Sequence, residues 1–497
     1  MFKEIRNPFL YFIIFSSAVL AITNCFLPLT DDVSLHLFHS LRMVESGGLY
    51  ERWAEVMPPT IYVIYSIPVY FSKLTGLNHT FSVNFCVDCL SVISLFLINH
   101  SLKKNLIEGG LRKHILMAAL CIFFVLPVFT FSVNDRDTLF LILCYPWLIN
   151  KILKNESSLP VIIFAAIGFS IKQYNYLYPL VFILLIENFD RNYFRRIFSK
   201  ENLLLAAAIM ILNIAFIIKF TAYYTELLPV LLVSYKGIHA YSYGALIYSV
   251  FIFLVIIFFL VRSEHLRKYL KSYLILIAIS IMVVSLNGNS KYNANHPIAL
   301  AILIIFHLIN SSGKEQTRYT LKLLMVMAVS GVLLLQVLIL YFFIKITRNE
   351  EKDKVCHQQI NNYTKDPYIF LSVENWAFQQ RYSDSDEDVY DNKNHMFAID
   401  HLWMLPWLYN NKEDPKAYIV KNYLRKKMVE ALGRGKDVSI MVDLSKFRDK
   451  IPEGFNILDF FRSELHLENE LKGFKKIADI DKCGPTKIEV WRKAGRE

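Results

Sequence analysis

Long apolar runs alternate with short polar segments along most of the chain, and this pattern predicts a membrane protein with many helices. A helix needs about 20 residues to cross a bilayer, and eleven apolar runs approach that length alone or with their polar flanks. They lie at Phe9–Leu27, Phe81–Asn99, Ile115–Phe131, Thr138–Ile149, Leu159–Ile171, Tyr176–Ile186, Leu203–Phe220, Ala245–Val261, Tyr273–Leu286, Pro297–Ile309 and Leu321–Ile344. We expect the shortest of them to extend into their flanks or to form broken helices that line a cavity.

Basic residues predict how these spans are oriented. If Thr60–Phe71 crossed the membrane, the basic loop at 103–113 would lie on the side opposite the N-terminus, against the positive-inside rule. As a helix at the outer interface, the same segment leaves eleven spans, the N-terminus inside and everything after Lys345 outside. The inner side then collects the basic loops at 103–113, 151–154, 191–200, 262–271 and 314–322.

The composition agrees with a multi-pass membrane protein. Apolar residues make up 54% of the 497 and charged residues only 20%, whereas soluble domains are less apolar and more charged. The net charge of +11 is explained by Lys and Arg in the inner loops, so nucleic acid is not an expected partner. Lys3 and Arg6 precede the first span without a small-residue cleavage pattern, so we expect a retained helix and not a removed signal peptide.

The pattern changes after Lys345, which predicts a membrane domain at 1–345 and a soluble α/β domain at 346–497. Strands are predicted at PYIFLSV, DVSIMVDL and IEVW, and a helix that is capped by Asp414 with Pro415 and ends at Gly433. Cys356 and Cys483 flank most of this domain. Free thiols and, in an oxidising compartment, a disulfide are both compatible with their positions.

The first acidic cluster follows the first span directly, in LTDDVSLHLFHSLRMVESGG. Val33, Leu37, Leu41 and Val44 recur at helical spacing until Gly47 and Gly48, which predicts an amphipathic helix at the outer interface. The preceding Asp31 and Asp32 are candidate catalytic carboxylates. A helix cap is the alternative for one of them, but it leaves the other unexplained.

A second acidic cluster, NDRD at 134–137, lies at another predicted outer boundary. Asp135 and Asp137 flank Arg136, and an ion pair or a helix cap at the membrane edge is the alternative to a functional role. Two acidic clusters from distant loops would allow one carboxylate to accept a proton while another holds an acceptor or a divalent cation.

Cations occupy two further outer segments. Lys172 interrupts GFSIKQYNYLYPL between two short spans, where a charge costs several kcal/mol unless it is paired or solvated. A phosphate would pair it, and snorkelling to the headgroups is the alternative. Lys291 and His296 lie in NGNSKYNANHP and are further candidates for contact with phosphate. Asp88, inside the second span, has either a functional role or a hydrogen bond across helices.

In this order, the motifs resemble those of the GT-C superfamily of membrane glycosyltransferases, which includes protein O-mannosyltransferases, lipid A aminoarabinose transferases and bacterial oligosaccharyltransferases. ESGGLYERWAEVMPPTIYVIY resembles the family's Gly-x-Tyr and Pro-Pro-x-x-Tyr stretch, and NDRDTLFLILCYPWLI its second acidic motif. GFSIKQYNYLYPL and KYNANHPIALAIL match later landmarks, so the resemblance covers about residues 9–310. The adjacent Asp pair departs from the commoner acidic forms, and the sequon-reading motif is absent, so protein N-glycosylation is not expected.

The resemblance implies a GT-C-like fold of about eleven transmembrane helices with a small extracytoplasmic α/β domain, in a bacterial cytoplasmic (inner) membrane. It implies inverting transfer from a polyprenyl-phosphate sugar donor to a hydroxyl of a glycolipid, a cell-envelope glycan or a protein. It identifies no particular cofactor, and a divalent cation is compatible with the acids. It further implies that Asp31 or Asp32 acts as the base and that Asp135 and Asp137 bind the acceptor or a metal. The residues that it implies for binding of the donor phosphate are Arg136, Lys172, Lys291 and His296.

Two other functions fit the same hydrophobic pattern. An O-antigen polymerase or ligase would also use lipid-linked donors, but is expected to carry Arg and His in a large outer loop between late spans. A lipid-linked sugar transporter is expected to show internal repeats, and we find none with a convincing period.

Overall fold

The structure is a computed structural model in which part of the chain is described. The described residues are 31–51, 57–103, 135–187, 190–234, 269–286, 367–371, 395–399, 404–435, 437–443, 455–483 and 486–493, with isolated positions such as Cys25. Residues 188–189 and 436 are short gaps between these ranges, and the side chains of a few residues inside the ranges are not described. This part of the chain is mostly helical and contains one small sheet, as predicted.

The helices of the apolar part follow the predicted runs closely. Their bounds are α1 Asp31–Ser46, α2 Pro59–Thr75, α3 His79–Lys103, α4 Arg136–Leu153, α5 Leu159–Phe169, α6 Leu177–Ile186, α7 Tyr193–Ile197, α8 Lys200–Lys219, α9 Leu228–Ser234 and α10 Leu270–Leu286. A 3-10 helix, Gln173–Tyr176, precedes α6, and a π-helix, Tyr223–Leu227, precedes α9. Each of the six predicted spans that fall within the described residues is helical.

Two of the described helices are long and apolar enough to cross a membrane, by length and composition. They are α3, over His79–Ile98, and α8, over Lys200–Lys219. Helices α5, α6 and α10 are apolar but shorter. The other predicted spans, Phe9–Leu27, Ile115–Phe131, Ala245–Val261, Pro297–Ile309 and Leu321–Ile344, lie wholly or almost wholly outside the described residues. The eleven-span arrangement therefore stays a prediction.

The chain divides into two compact units. The first unit comprises Met1–Val33, Tyr70–Ala215 and Ala240–Tyr341, and the second comprises Ser34–Val69, Phe216–His239 and Phe342–Glu497. The second unit thus combines the C-terminal part of the chain with two segments from the apolar part. The predicted division at residue 345 stays a prediction.

In the first unit, α4 packs between α3 and α5 and is buried along nearly its whole length. Ser94 of α3 donates a hydrogen bond to the carbonyl oxygen of Ile142 at 2.5 Å, across the first of these contacts. On the other side, Gly168 of α5 lies so close to α4 that an added Cβ would come within 2.5 Å of the Cys144 Sγ atom. The absence of a side chain at 168 therefore permits the close packing of α5 on α4.

Helix α1 forms where the apolar spacing predicts it and ends at Gly47, whose φ of +71° suits glycine. Its polar face, however, is not solvated: every residue from Val33 to Arg42 is buried. Tyr62 of α2 contacts the rings of His36 and His39, with centroids 5.9 and 5.8 Å apart, and so covers both. Over these residues the helix is therefore covered by protein on all sides, and its predicted location at the outer interface stays a prediction.

The C-terminal segments form a five-stranded mixed sheet in the order β2-β1-β3-β5-β4. β1 is parallel to β2 and β3, and β5 is antiparallel to β3 and β4. The bounds are β1 Tyr368–Leu371, β2 His395–Ile399, α11 Leu405–Asn410, α12 Ala417–Arg434, β3 Ser439–Asp443, α13 Ile457–Glu464, β4 Phe474–Cys483 and β5 Thr486–Lys493. The predicted strands are β1, β3 and β5, whereas β2, β4 and α13 were not predicted.

The predicted bounds of the long helix in this domain are wrong at both ends. Asp414 accepts a hydrogen bond from the Lys416 N–H at 2.7 Å, which stabilises a turn before α12 and not the helix itself. Gly433 lies inside α12, and Gly435 follows its last residue. An added Cβ at Gly435 would come within 2.7 Å of Val438 Cγ2, so the close approach of the next segment selects this second glycine.

Candidate functional site

The second acidic cluster lies at the start of α4, in the first unit. Asp135 is the N-cap residue, and its Oδ1 atom accepts a hydrogen bond from the Arg136 N–H at 2.6 Å. Its side chain is fully buried. A capping carboxylate also lies favourably near the positive end of the helix dipole. The interpretation of this motif as a helix cap is therefore correct for Asp135.

Asp137, in the first turn of α4, pairs with Lys172, in the turn that follows α5. The Lys172 Nζ atom lies 2.6 Å from Asp137 Oδ1 and 2.7 Å from Oδ2, so the ammonium group contacts both carboxylate oxygens. The side chains are only 9% and 1% exposed. Because Lys172 is buried, its charge is accommodated by Asp137 and not by snorkelling to solvent.

This pair is costly to bury. Removing two charges from water costs several kcal/mol per ion, which mutual attraction offsets only when the geometry is good. Lys172 lies outside both predicted spans that flank it; burial lowers its pKa below the ordinary value of 10.5, while the charge of Asp137 opposes that shift. A buried charge pair with a perturbed pKa, in a polar turn between apolar helices, is a candidate functional site.

Asn175 lies next to this pair and was not singled out in the sequence. Its backbone N–H donates to the carbonyl oxygen of Lys172 at 3.0 Å, which closes the turn around the lysine. The side chain is fully buried, and neither amide atom has a hydrogen-bond partner among the described residues. Because buried amides are normally satisfied, this one marks a position where a ligand, a water molecule or a further side chain would bind.

The structure thus brings together four of the eight predicted site residues. Asp135, Arg136, Asp137 and Lys172 meet where α4 begins and α5 ends. Asp31 and Asp32 are the first two residues of α1, but their side chains are outside the described part of the chain. Lys291 and His296 also lie outside it. Their convergence with the other four stays a prediction.

A metal site is not assembled within the described residues. No group of three or more His, Cys, Asp or Glu side chains comes together there in a way that could hold a metal ion. Asp135 and Asp137 would need at least one more ligand to hold a cation, and their predicted role in binding an acceptor or a metal stays a prediction.

Asp88 has a structural explanation. The Cys25 thiol donates a hydrogen bond to Asp88 Oδ2 at 3.7 Å, and the Asp88 side chain is buried. The two residues are far apart in sequence, so this is the contact between separate segments that was the alternative to a functional role.

A second acid and lysine cluster lies in the second unit and was not foreseen. Glu226, in the π-helix Tyr223–Leu227, has its Oε1 atom 2.7 Å from the Lys426 Nζ atom and its Oε2 atom 2.8 Å from that of Lys427. Lys427 also donates to the carbonyl oxygen of Glu51 at 3.3 Å. Three segments that are distant in sequence therefore meet at one carboxylate.

The pKa of Glu226 reflects the two lysines. Burial would raise this pKa, but the lysines outweigh burial and hold it below its ordinary value of 4.5. The hydrogen bond to Glu226 correspondingly raises the pKa of Lys426 above 10.5. Both groups are therefore charged at neutral pH, and the cluster acts as an ion-pair contact.

Comparisons with known proteins add no family to this picture. No protein-family model matches the chain, and no curated protein and no solved structure is significantly similar to it. The GT-C resemblance accordingly depends on the order of the motifs in this sequence alone.

Proposed function

We propose that this protein is a membrane glycosyltransferase of the GT-C type. It transfers a sugar from a polyprenyl-phosphate donor to a hydroxyl of a glycolipid, a cell-envelope glycan or a protein, on the outer face of a bacterial cytoplasmic membrane. The observation that carries the proposal is the buried Asp137–Lys172 pair, together with the buried, unsatisfied amide of Asn175 in the same turn as the lysine. A desolvated cation between two apolar helices is well suited to receive a phosphate.

The proposed reaction needs a base and a cation. The acceptor oxygen attacks the anomeric carbon from the face opposite the phosphate, and the bond from that carbon to the phosphate oxygen breaks, so the configuration inverts. Asp31 or Asp32 takes the proton of the acceptor hydroxyl. The electrons of the broken bond leave with the polyprenyl phosphate, whose developing charge Lys172 stabilises.

The remaining predicted residues have supporting roles. Arg136, Lys291 and His296 add positive charge around the donor phosphate, and Asp135 with Asp137 holds the acceptor or a divalent cation. Asp137 contacts Lys172 through both carboxylate oxygens, and an incoming phosphate would share the ammonium group with Asp137.

Transport of a lipid-linked sugar is the second candidate, because one observation favours it. The short helices α5 and α6 are separated by a break that contains the buried Lys172, followed by the 3-10 helix Gln173–Tyr176. Broken helices with charged residues at the break are typical of transporter binding sites.

The experiment that tests these functions is mass analysis of surface glycolipids from a deletion strain complemented with variants. We expect one sugar to be missing in the deletion strain, to return with the wild type, and to stay missing with Asp31→Asn/Asp32→Asn and with Asp137→Leu/Lys172→Met. The second variant removes the whole pair, so that no single charge is left buried. Protein levels in the membrane are measured for each strain.

Two matched controls are available in the chain. Glu468→Gln/Glu470→Gln removes two carboxylates from the second unit, and Glu201→Leu/Lys151→Met removes another ion pair of the first unit, with a separation of 2.8 Å. Both should restore the sugar. An unchanged glycan profile in the deletion strain contradicts the transferase and favours transport, whereas a sugar that returns with Asp31→Asn/Asp32→Asn favours a polymerase-like or ligase-like enzyme.

A further inference from the structure

The segment that connects α6 to α8 presents aromatic and basic side chains to the outside. Phe194 and Phe198, one helical turn apart at α7, are 71% and 62% exposed. Arg191, Arg195 and Lys200 are also exposed. Large aromatic residues seldom stay exposed on this scale without a partner.

The acids of this segment are already used internally. Arg196 Nε lies 2.7 Å from Glu187 Oε2, and its second terminal nitrogen lies 2.8 Å from Asp190 Oδ1. Arg191, Arg195 and Lys200 have no ion pair among the described residues. The segment therefore exposes three cations that have no acidic partner among the described residues.

The same segment is held in place by its neighbours in the first unit. The Tyr193 hydroxyl donates to the carbonyl oxygen of Leu184 at 2.9 Å. The Lys271 ammonium group donates to the carbonyl oxygens of Ile186 and Glu187, at 3.2 Å each. These contacts at the end of α6 give the exposed side chains a defined surface.

Helix α8 indicates which environment this surface faces. It starts at Lys200 and has 20 residues. Only 17% of its apolar stretch is buried within the protein. At 1.5 Å per residue it is about 30 Å long, which matches the hydrocarbon core of a bilayer. Exposed Ile211 and Ile218 would face lipid chains, so the segment at the start of α8 lies at the level of the headgroups.

We propose that the 190–200 segment is a binding site for anionic phospholipids at the membrane surface. Arg191, Arg195 and Lys200 bind headgroup phosphates, and Phe194 with Phe198 inserts among the upper acyl chains. Charge complementarity selects an anionic lipid over a zwitterionic one, and aromatic residues favour this depth of the bilayer. The site does not depend on the proposed transferase activity.

The test is native mass spectrometry of the purified full-length protein in detergent with equal amounts of phosphatidylglycerol and phosphatidylethanolamine. We expect the wild type to retain phosphatidylglycerol preferentially. Arg191→Gln/Arg195→Gln/Lys200→Gln should weaken that retention by about fivefold for each cation removed. The matched control, Arg425→Gln/Lys472→Gln/Lys475→Gln, removes three exposed cations from the second unit and should retain the lipid as the wild type does.

Three results would overturn the proposal. These are equal retention of the two lipids by the wild type, unchanged retention by the first triple variant, and an equal loss in the control. A change in oligomeric state without any change in bound lipid would assign the surface to a second copy of the chain. Phe194→Ser/Phe198→Ser tests the aromatic part: we expect weaker binding with an unchanged salt dependence, and wild-type binding would remove the two rings from the site.

Discussion

The two acid and lysine clusters of this molecule use the same chemical groups in opposite ways. In the first unit, one ammonium group is held by both oxygens of Asp137, and the pair is almost completely buried. In the second unit, Glu226 is shared by two lysines, of which Lys426 is 53% exposed. The first cluster is enclosed and joins two neighbouring helices, whereas the second is partly solvated and joins distant segments.

We interpret this difference as one between a candidate binding site and a structural contact. A half-solvated ion pair avoids much of the desolvation cost, so it can hold segments together at little expense. A fully buried pair is a poor stabiliser, because apolar residues of similar volume would often serve as well or better. The burial of Asp137 and Lys172 therefore favours a role in binding, and the predictions below test this contrast.

The largest effect is expected from Lys172→Met. This substitution leaves the Asp137 carboxylate buried without its partner, which costs about 3–5 kcal/mol. Asp137→Leu/Lys172→Met should recover most of that loss. Unfolding in detergent, measured for Lys172→Met, for Asp137→Leu and for the double variant, gives the coupling energy directly. A single-variant loss below about 1 kcal/mol would contradict the enclosed character of this pair.

The next effect is expected from Glu226→Gln. Lys427 is only 4% exposed, so loss of the carboxylate leaves a buried ammonium group without an acidic partner, in contact with the Glu51 carbonyl oxygen and the Tyr423 ring. We expect a loss of about 2 kcal/mol, seen as faster hydrogen exchange in α12. Glu430→Gln is the matched control, because Glu430 lies 3.9 Å from Lys426 on the surface of the same helix. Equal exchange in both variants would contradict the prediction.

A smaller effect is expected from acid. The folded-state pKa of Glu226 is below its ordinary value of 4.5, so its contribution to stability is fully present above pH 4.5. That contribution is lost as the pH falls below 4.5 through the folded-state value. The stability difference between the wild type and Glu226→Gln should therefore shrink as the pH is lowered from neutral to below 4.5. A constant difference over this range would contradict the direction of the shift.

The smallest effect is expected from Lys426→Gln. Its side chain is more than half exposed, and exposed ion pairs contribute about 0–1 kcal/mol. Lys427→Gln should cost more, because the same charge is buried there. Comparing the two variants by thermal unfolding separates burial from charge within one cluster, and equal losses would refute the distinction.

The sequence predicts the enclosed cluster better than the shared one, and the reason is local. Asp135, Asp137 and Lys172 stand at the ends of apolar runs, and polar residues at such positions stand out. Lys172 also lies in the turn that follows the neighbouring helix, so α4 and α5 bring it to Asp137 by simple antiparallel packing. The bidentate geometry itself depends on side-chain packing that no periodicity encodes.

The shared cluster has no comparable signal. Glu226 and Lys426 are 200 residues apart, and each lies in a segment whose local pattern would allow a solvated surface residue. The same limit applies to His36 and His39, which the helical spacing places on a polar face although Tyr62 covers them. Contacts between distant segments decide both cases. Strand β2 was not predicted for a related reason. Its five residues begin with His395, and they form a strand because they pair with β1.

Gly168 links the close packing of α5 on α4 to the position of Lys172, the charged residue four positions later. A methyl group at that position would meet Cys144 Sγ and Leu143 Cβ at 2.5 and 2.9 Å, so α5 would have to retreat from α4. Such a retreat would carry the lysine with it and lengthen a contact that is now 2.6 Å. The absence of a side chain at Gly168 therefore allows Lys172 to contact Asp137. Gly168→Ala would weaken this ion pair without altering any charge.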